Sequence, residues 1–67
     1  MDMGRSERYC RLLRKTVTDS RKAVAAYRKL SRMAPTGLAR DAHLRQCMQE
    51  MVEYKVNKLL YRRYCAR

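Results

Sequence analysis

The chain has 67 residues, 17 Lys and Arg against six Asp and Glu, and a formal net charge of +11 with a sequence pI near 10.3. A chain this short makes one small domain that buries a modest fraction of its surface, and its 46% apolar content is too high for a simple disordered tail. The charge predicts an anionic partner, and the longest apolar run, Ala23 to Tyr27, is far below the ~20 residues a membrane-spanning helix needs.

Residues 1–5 are expected to fray, with Ser6 as N-cap and Glu7 in the first turn, where the helix dipole favours an acid. The spacing then predicts a helix over about 6–33, uninterrupted by Pro or Gly. Its apolar residues Tyr9, Leu13, Val17, Val24, Tyr27 and Leu30 recur at helical intervals. Opposite them run two heptad-spaced basic rows. One is Arg8, Lys15, Lys22 and Lys29, and the other is Arg14, Arg21 and Arg28. Arg outnumbers Lys among the cations, and its planar fork suits phosphate and carboxylate better than an ammonium does. An Arg-rich, acid-poor amphipathic segment also has the character of a mitochondrial import signal, although Asp2, Glu7 and Asp19 work against that reading.

A turn is expected over 34–39, where Pro35 disfavours helix at Ala34 and Gly37 permits the chain to reverse. Thr36 or Asp41 can cap a second helix of about 40–64, whose apolar set is Leu44, Cys47, Met48, Met51, Val52, Leu59 and Leu60. The fold class is therefore all-α: an antiparallel hairpin of two long amphipathic helices forming a single domain over 1–67. Two helices leave half of each apolar stripe open, so a partner or a second copy is expected to complete them.

Little supports catalysis. His43 is the only histidine, and neither paired carboxylates nor a Gly-rich phosphate loop occurs. Without a C-x-x-C pair no metal or other cofactor is expected. Cys47 and Cys65 lie too far apart on one helix to bond. In a hairpin turning near Gly37, residue i faces about 75 minus i, which sets Cys10 against Cys65. A disulfide there and reduced, buried thiols are both open readings, and the first requires an oxidising compartment such as the mitochondrial intermembrane space.

Two readings of the basic rows stand. On RNA they grip phosphates, with Tyr61 and Tyr64 beside Arg62 and Arg63 available for stacking. On a protein they dock an acidic helix. Ala26-Tyr27-Arg28-Lys29-Leu30-Ser31-Arg32 resembles the first-helix signature of the mitochondrial LYR-motif family, Leu-Tyr-Arg-x-Leu-Leu-Arg, with Ala26 and Ser31 replacing leucines. Glu53-Tyr54-Lys55-Val56-Asn57-Lys58 is similar to that family's second-helix element, with Tyr54 in place of Phe. The resemblance covers about residues 24–58. It implies a small non-enzymatic mitochondrial adaptor or subunit, in which basic residues meet the acidic helix of an acyl carrier protein or a larger assembly. Carried over, Arg28 and Arg32 meet acidic groups, Lys29 and Lys55 flank them, and Tyr27, Leu30 and Tyr54 line the core. The alternative is a nucleic-acid-binding hairpin, in the cytoplasm or nucleus if not in the mitochondrion.

Overall fold

A computed structural model describes residues 3–65, with side chains from residue 6 onward. Helix α1 runs from Met3 to Met33 and helix α2 from Gly37 to Tyr64. They pack antiparallel as a hairpin about 53 Å long and 15 Å across. The described residues hold no strand.

Both boundaries facing the N-terminal side differ from those expected. Helix α1 already includes Met3, so Ser6 lies inside it and does not cap it. Residues 1 and 2 of the expected frayed end lie outside the described residues. The turn is also shorter than 34–39. Pro35, which cannot donate a backbone hydrogen bond, stops α1, and Thr36 immediately restarts the chain as the N-cap of α2. Thr36 is extended (φ −136°, ψ 161°), and its Oγ1 accepts from the Ala39 N–H at 3.1 Å. Its carbonyl accepts from the Arg40 N–H at 3.0 Å. Thr36, not Asp41, is thus the cap. Gly37 takes a negative φ and is the first residue of α2, so its freedom of backbone is not what turns the chain.

The seam between the helices follows a strict alternation of three and four. Cys10, Leu13, Val17, Ser20, Val24, Tyr27 and Ser31 of α1, and Ala34 just after it, are all buried or half-buried. They meet a matching series on α2: His43, Cys47, Glu50, Tyr54, Asn57 and Tyr61. This is the 3.5-residue repeat of a coiled coil, which keeps each stripe facing its partner along the whole length. Among the described residues, Leu13 (7% exposed) and Cys47 (4%) are the only buried apolar ones, and Ser20 and Ser31 are buried with them. Small serines let the backbones approach. Ser31 Oγ donates to the Arg28 carbonyl at 2.7 Å, so that hydroxyl stays satisfied in the seam.

Much of the expected core is therefore elsewhere. Tyr9 and Leu30 are exposed at the edges of the α1 stripe, because a run through them drifts away from the 3–4 register. On α2 only Cys47, Met51 and Leu60 of the expected set are covered. Leu44, Met48, Val52 and Leu59 are exposed, Met48 and Leu59 by about two thirds. At 100° per residue Met48, Val52 and Leu59 lie roughly opposite Cys47, Glu50, Tyr54 and Tyr61, on the side of α2 turned away from α1, and Leu44 lies at its flank.

At the open end, Cys10 and Cys65 are joined as a disulfide with Cα atoms 5.6 Å apart. Helix α2 ends there, with the Cys65 N–H donating to the Tyr61 carbonyl at 2.8 Å. Cys47 is a free thiol, buried in the seam with its Sγ 3.7 Å from the Val24 carbonyl.

Candidate docking surface

Arg14, Arg21 and Arg28 share one face of α1 because they are seven residues apart. In the hairpin this row does not lie opposite the seam. It borders it. Arg14, with Val17 and Thr18, faces Lys58, Tyr61 and Arg62 across an open groove. Two helical turns along, Arg21 and Val24 line a second groove with Met51, Tyr54 and Lys55. Cations from both helices thus converge on one side of the hairpin over an apolar floor of Val17, Val24, Met51 and the tyrosine rings. Lys58 Nζ lies 5.5 Å from the centre of the Tyr54 ring, a cation–π distance that leaves Lys58 beside the groove.

The other basic row behaves as its spacing requires. Arg8, Lys15, Lys22 and Lys29 are exposed, on the outer side of α1. Among the residues singled out by the Leu-Tyr-Arg-like segment, Arg28, Lys29 and Arg32 are exposed, Tyr27 is half-buried in the seam, and Leu30 is 44% exposed and outside it. Tyr54 is half-buried and Lys55 exposed beside it. The hairpin therefore brings Arg21 and Lys55 together and aligns Arg28 with them. It separates Leu30 from the seam that the resemblance implies for it.

Lys58, the last residue of the second-helix element, and Arg62, beside the stacking tyrosines, complete the groove, a place that the sequence reading did not give them. Their signal is present in the sequence: Lys55, Lys58 and Arg62 are spaced by three and four, which places three cations on one face of α2. Tyr61 and Tyr64 divide, with Tyr61 half-buried in the groove wall and Tyr64 exposed, the Arg63 guanidinium 5.8 Å from its ring centre. His43 is half-buried, its Nδ1 2.9 Å from Gln46 Oε1 one turn away. Among the described residues no group of three or more His, Cys, Asp or Glu is placed to hold a metal ion, and no helix is long and apolar enough to cross a membrane.

The arrangement suits the binding of an extended anionic surface. The cations are spread over more than one helical turn, the grooves are open, and apolar side chains form their floor. The chain matches no protein-family model, no curated protein and no solved structure.

Proposed function

We propose that this chain is a non-enzymatic helical adaptor, a small LYR-like subunit of a mitochondrial assembly, which docks an acidic protein helix of the acyl carrier type. The observation that carries the reading is the pairing of Arg14 with Lys58 and Arg62, and of Arg21 with Lys55, across two adjoining grooves. Arg28 extends that row and is also the arginine of the Leu-Tyr-Arg-like segment, so motif and geometry converge on one residue. Carboxylates along one side of an amphipathic helix meet the cations, while its apolar residues settle on Val24, Met51 and Tyr54. RNA would meet the same cations through its phosphates and could stack a base on Tyr61, but the aliphatic floor of Val17, Val24 and Met51 is better matched by the apolar side chains of an amphipathic helix, which favours protein over nucleic acid.

The test is a binding titration of the oxidised chain with fluorescently labelled acyl carrier protein, and in parallel with a single-stranded oligouridine RNA. Saturable binding to the protein, weakened at least tenfold by Arg28→Glu, supports the adaptor. Indifference of the protein complex to Arg28→Glu, or stronger binding of the RNA, rejects it.

A further inference from the structure

The apolar ladder on the outer side of α2 is a different surface from the basic groove. Met48, Val52 and Leu59 are each exposed by more than 60%, and Leu44 and Val56 by about half. All five lie within one broad arc of the helix, and along its length they are centred near Val52. Contiguous apolar surface of this kind marks an interaction site.

We propose that a second copy of this chain covers it, α2 packing against α2 antiparallel about a two-fold axis at Val52. In that register residue i meets 104 minus i of the other copy. Val52 meets itself, Met48 meets Val56, and Arg45 lies against Leu59. At both ends Asp41 of one copy meets Arg63 of the other, making two symmetric ion pairs at the margin of the apolar strip. Lys55 meets Gln49, so no cation is set against a cation. A parallel pairing would instead stack Arg45 on Arg45, Lys55 on Lys55 and Arg63 on Arg63. A register shifted to centre on residue 50 would oppose Arg45 and Lys55. Charge complementarity therefore favours the antiparallel orientation over the parallel one, and the register at Val52 over the one centred on residue 50. A two-fold interface of this kind is self-complementary and closes at the dimer.

The net charge of +11 opposes association but does not forbid it. The outer basic row of α1, Arg8, Lys15 and Lys22, lies on the far side of each hairpin. Two helix layers then separate it from the interface, each about 10 Å thick. That exceeds the screening length of about 8 Å at physiological ionic strength, so the repulsion that remains comes from the nearer cations of α2, Arg45, Lys55, Arg62 and Arg63. Lys55 lies at the margin shared by the two surfaces, and the other groove cations stay at the side of each hairpin, so the dimer presents two such grooves. The inference does not depend on which anion they bind.

Salt gives the dimer a distinct signature. Raising ionic strength screens the repulsion between two strongly cationic chains, so dimerisation tightens with salt, whereas docking of an acidic partner weakens. The experiment is sedimentation equilibrium of the oxidised chain at about 0.1 M and about 1 M salt, where the screening length falls from about 10 to about 3 Å. The expected result is a species of twice the 8.0 kDa chain mass whose dissociation constant falls on going to high salt. Val52→Glu, which brings two carboxylates together on the axis, is expected to give monomer with unchanged helical circular dichroism. Asp41→Arg should weaken the dimer about tenfold, and the charge swap Asp41→Arg with Arg63→Asp should restore it. A chain that stays monomeric at both salt concentrations overturns the proposal, as does a dimer indifferent to Val52→Glu. Retention of the monomeric chain on anionic vesicles, lost in Val52→Glu, would overturn it in favour of a lipid surface.

Discussion

Replacing both Cys10 and Cys65 by Ser removes the disulfide without leaving a new thiol, and the cost can be worked from the loop it closes. The two residues are 55 apart in sequence. A cross-link closing a loop of that length removes about 14 cal/mol/K from the unfolded ensemble, or about 4 kcal/mol at 25 °C. A domain of 67 residues has a total stability of only about 3–10 kcal/mol at ordinary values per residue. The seam offers little in reserve, because Leu13 and Cys47 are the only buried apolar residues among those described. The variant should therefore sit near its folding midpoint, while the oxidised chain is folded. Urea unfolding followed by far-ultraviolet circular dichroism measures this directly. With a slope near 1 kcal/mol/M, at the lower end for small proteins, the midpoint should fall by about 4 M. The same loss should follow reduction of the wild-type chain by dithiothreitol. If the midpoint instead moves by less than about 0.5 M, the helices are held by the turn and seam alone, and the reasoning from unfolded-state entropy fails.

Three smaller perturbations test the local account. Thr36→Ala removes the hydroxyl that accepts from the Ala39 N–H, and should destabilise the oxidised chain by about 1 kcal/mol in the same urea titration. Gly37→Ala should stabilise it by about 0.4–1 kcal/mol, since the backbone has a negative φ and nothing lies within 4 Å of where the new Cβ would go. Leu13→Ala should cost about 2–4 kcal/mol, and more than Leu12→Ala, its neighbour at 66% exposure, as read from thermal unfolding.

The helices were legible because Pro35 and the capping Thr36 punctuate the chain and nothing comparable interrupts either side. The inward faces were harder to read. In α1 the residues at the 3–4 positions include Ser20 and Ser31, which carry little hydropathy, while Tyr9, Leu12 and Leu30 stand just off the register and draw attention away from it. In α2 the large apolar residues divide between Cys47, Met51 and Leu60 on the covered side and Met48, Val52 and Leu59 on the outer one. A hydrophobic count cannot choose between two such faces. The fixed point that could have chosen is the facing rule that sets Cys10 against Cys65. Anchoring the phase of α2 at Cys65 and stepping back by four, four and three turns Tyr61, Asn57 and Tyr54 inward. The basic groove was half legible, since Arg14, Arg21 and Arg28 form a row in sequence, while its partners Lys55, Lys58 and Arg62 depend on how the two helices are phased.

That phasing has an energetic consequence. Seam positions filled by Ser20, Ser31, Glu50 and Asn57 contribute little apolar transfer energy, while exposed Met48, Val52 and Leu59 each forgo about 1–2 kcal/mol that burial would supply. A hairpin selected only for its own stability would place these sets the other way round. The exchange makes sense if the outer face of α2 is covered in use and the inner face needs only to hold two rods at close range, with the disulfide restraining the ends. Two surfaces result, one apolar and one cationic, on different sides of a single narrow scaffold. Their responses to ionic strength are opposite in sign: contact through the apolar face between like-charged chains strengthens as charges are screened, and contact through the arginine-lined grooves weakens. Measuring both across the same salt series separates them without a mutation, and a common sign for the two would show that a single surface is responsible for both.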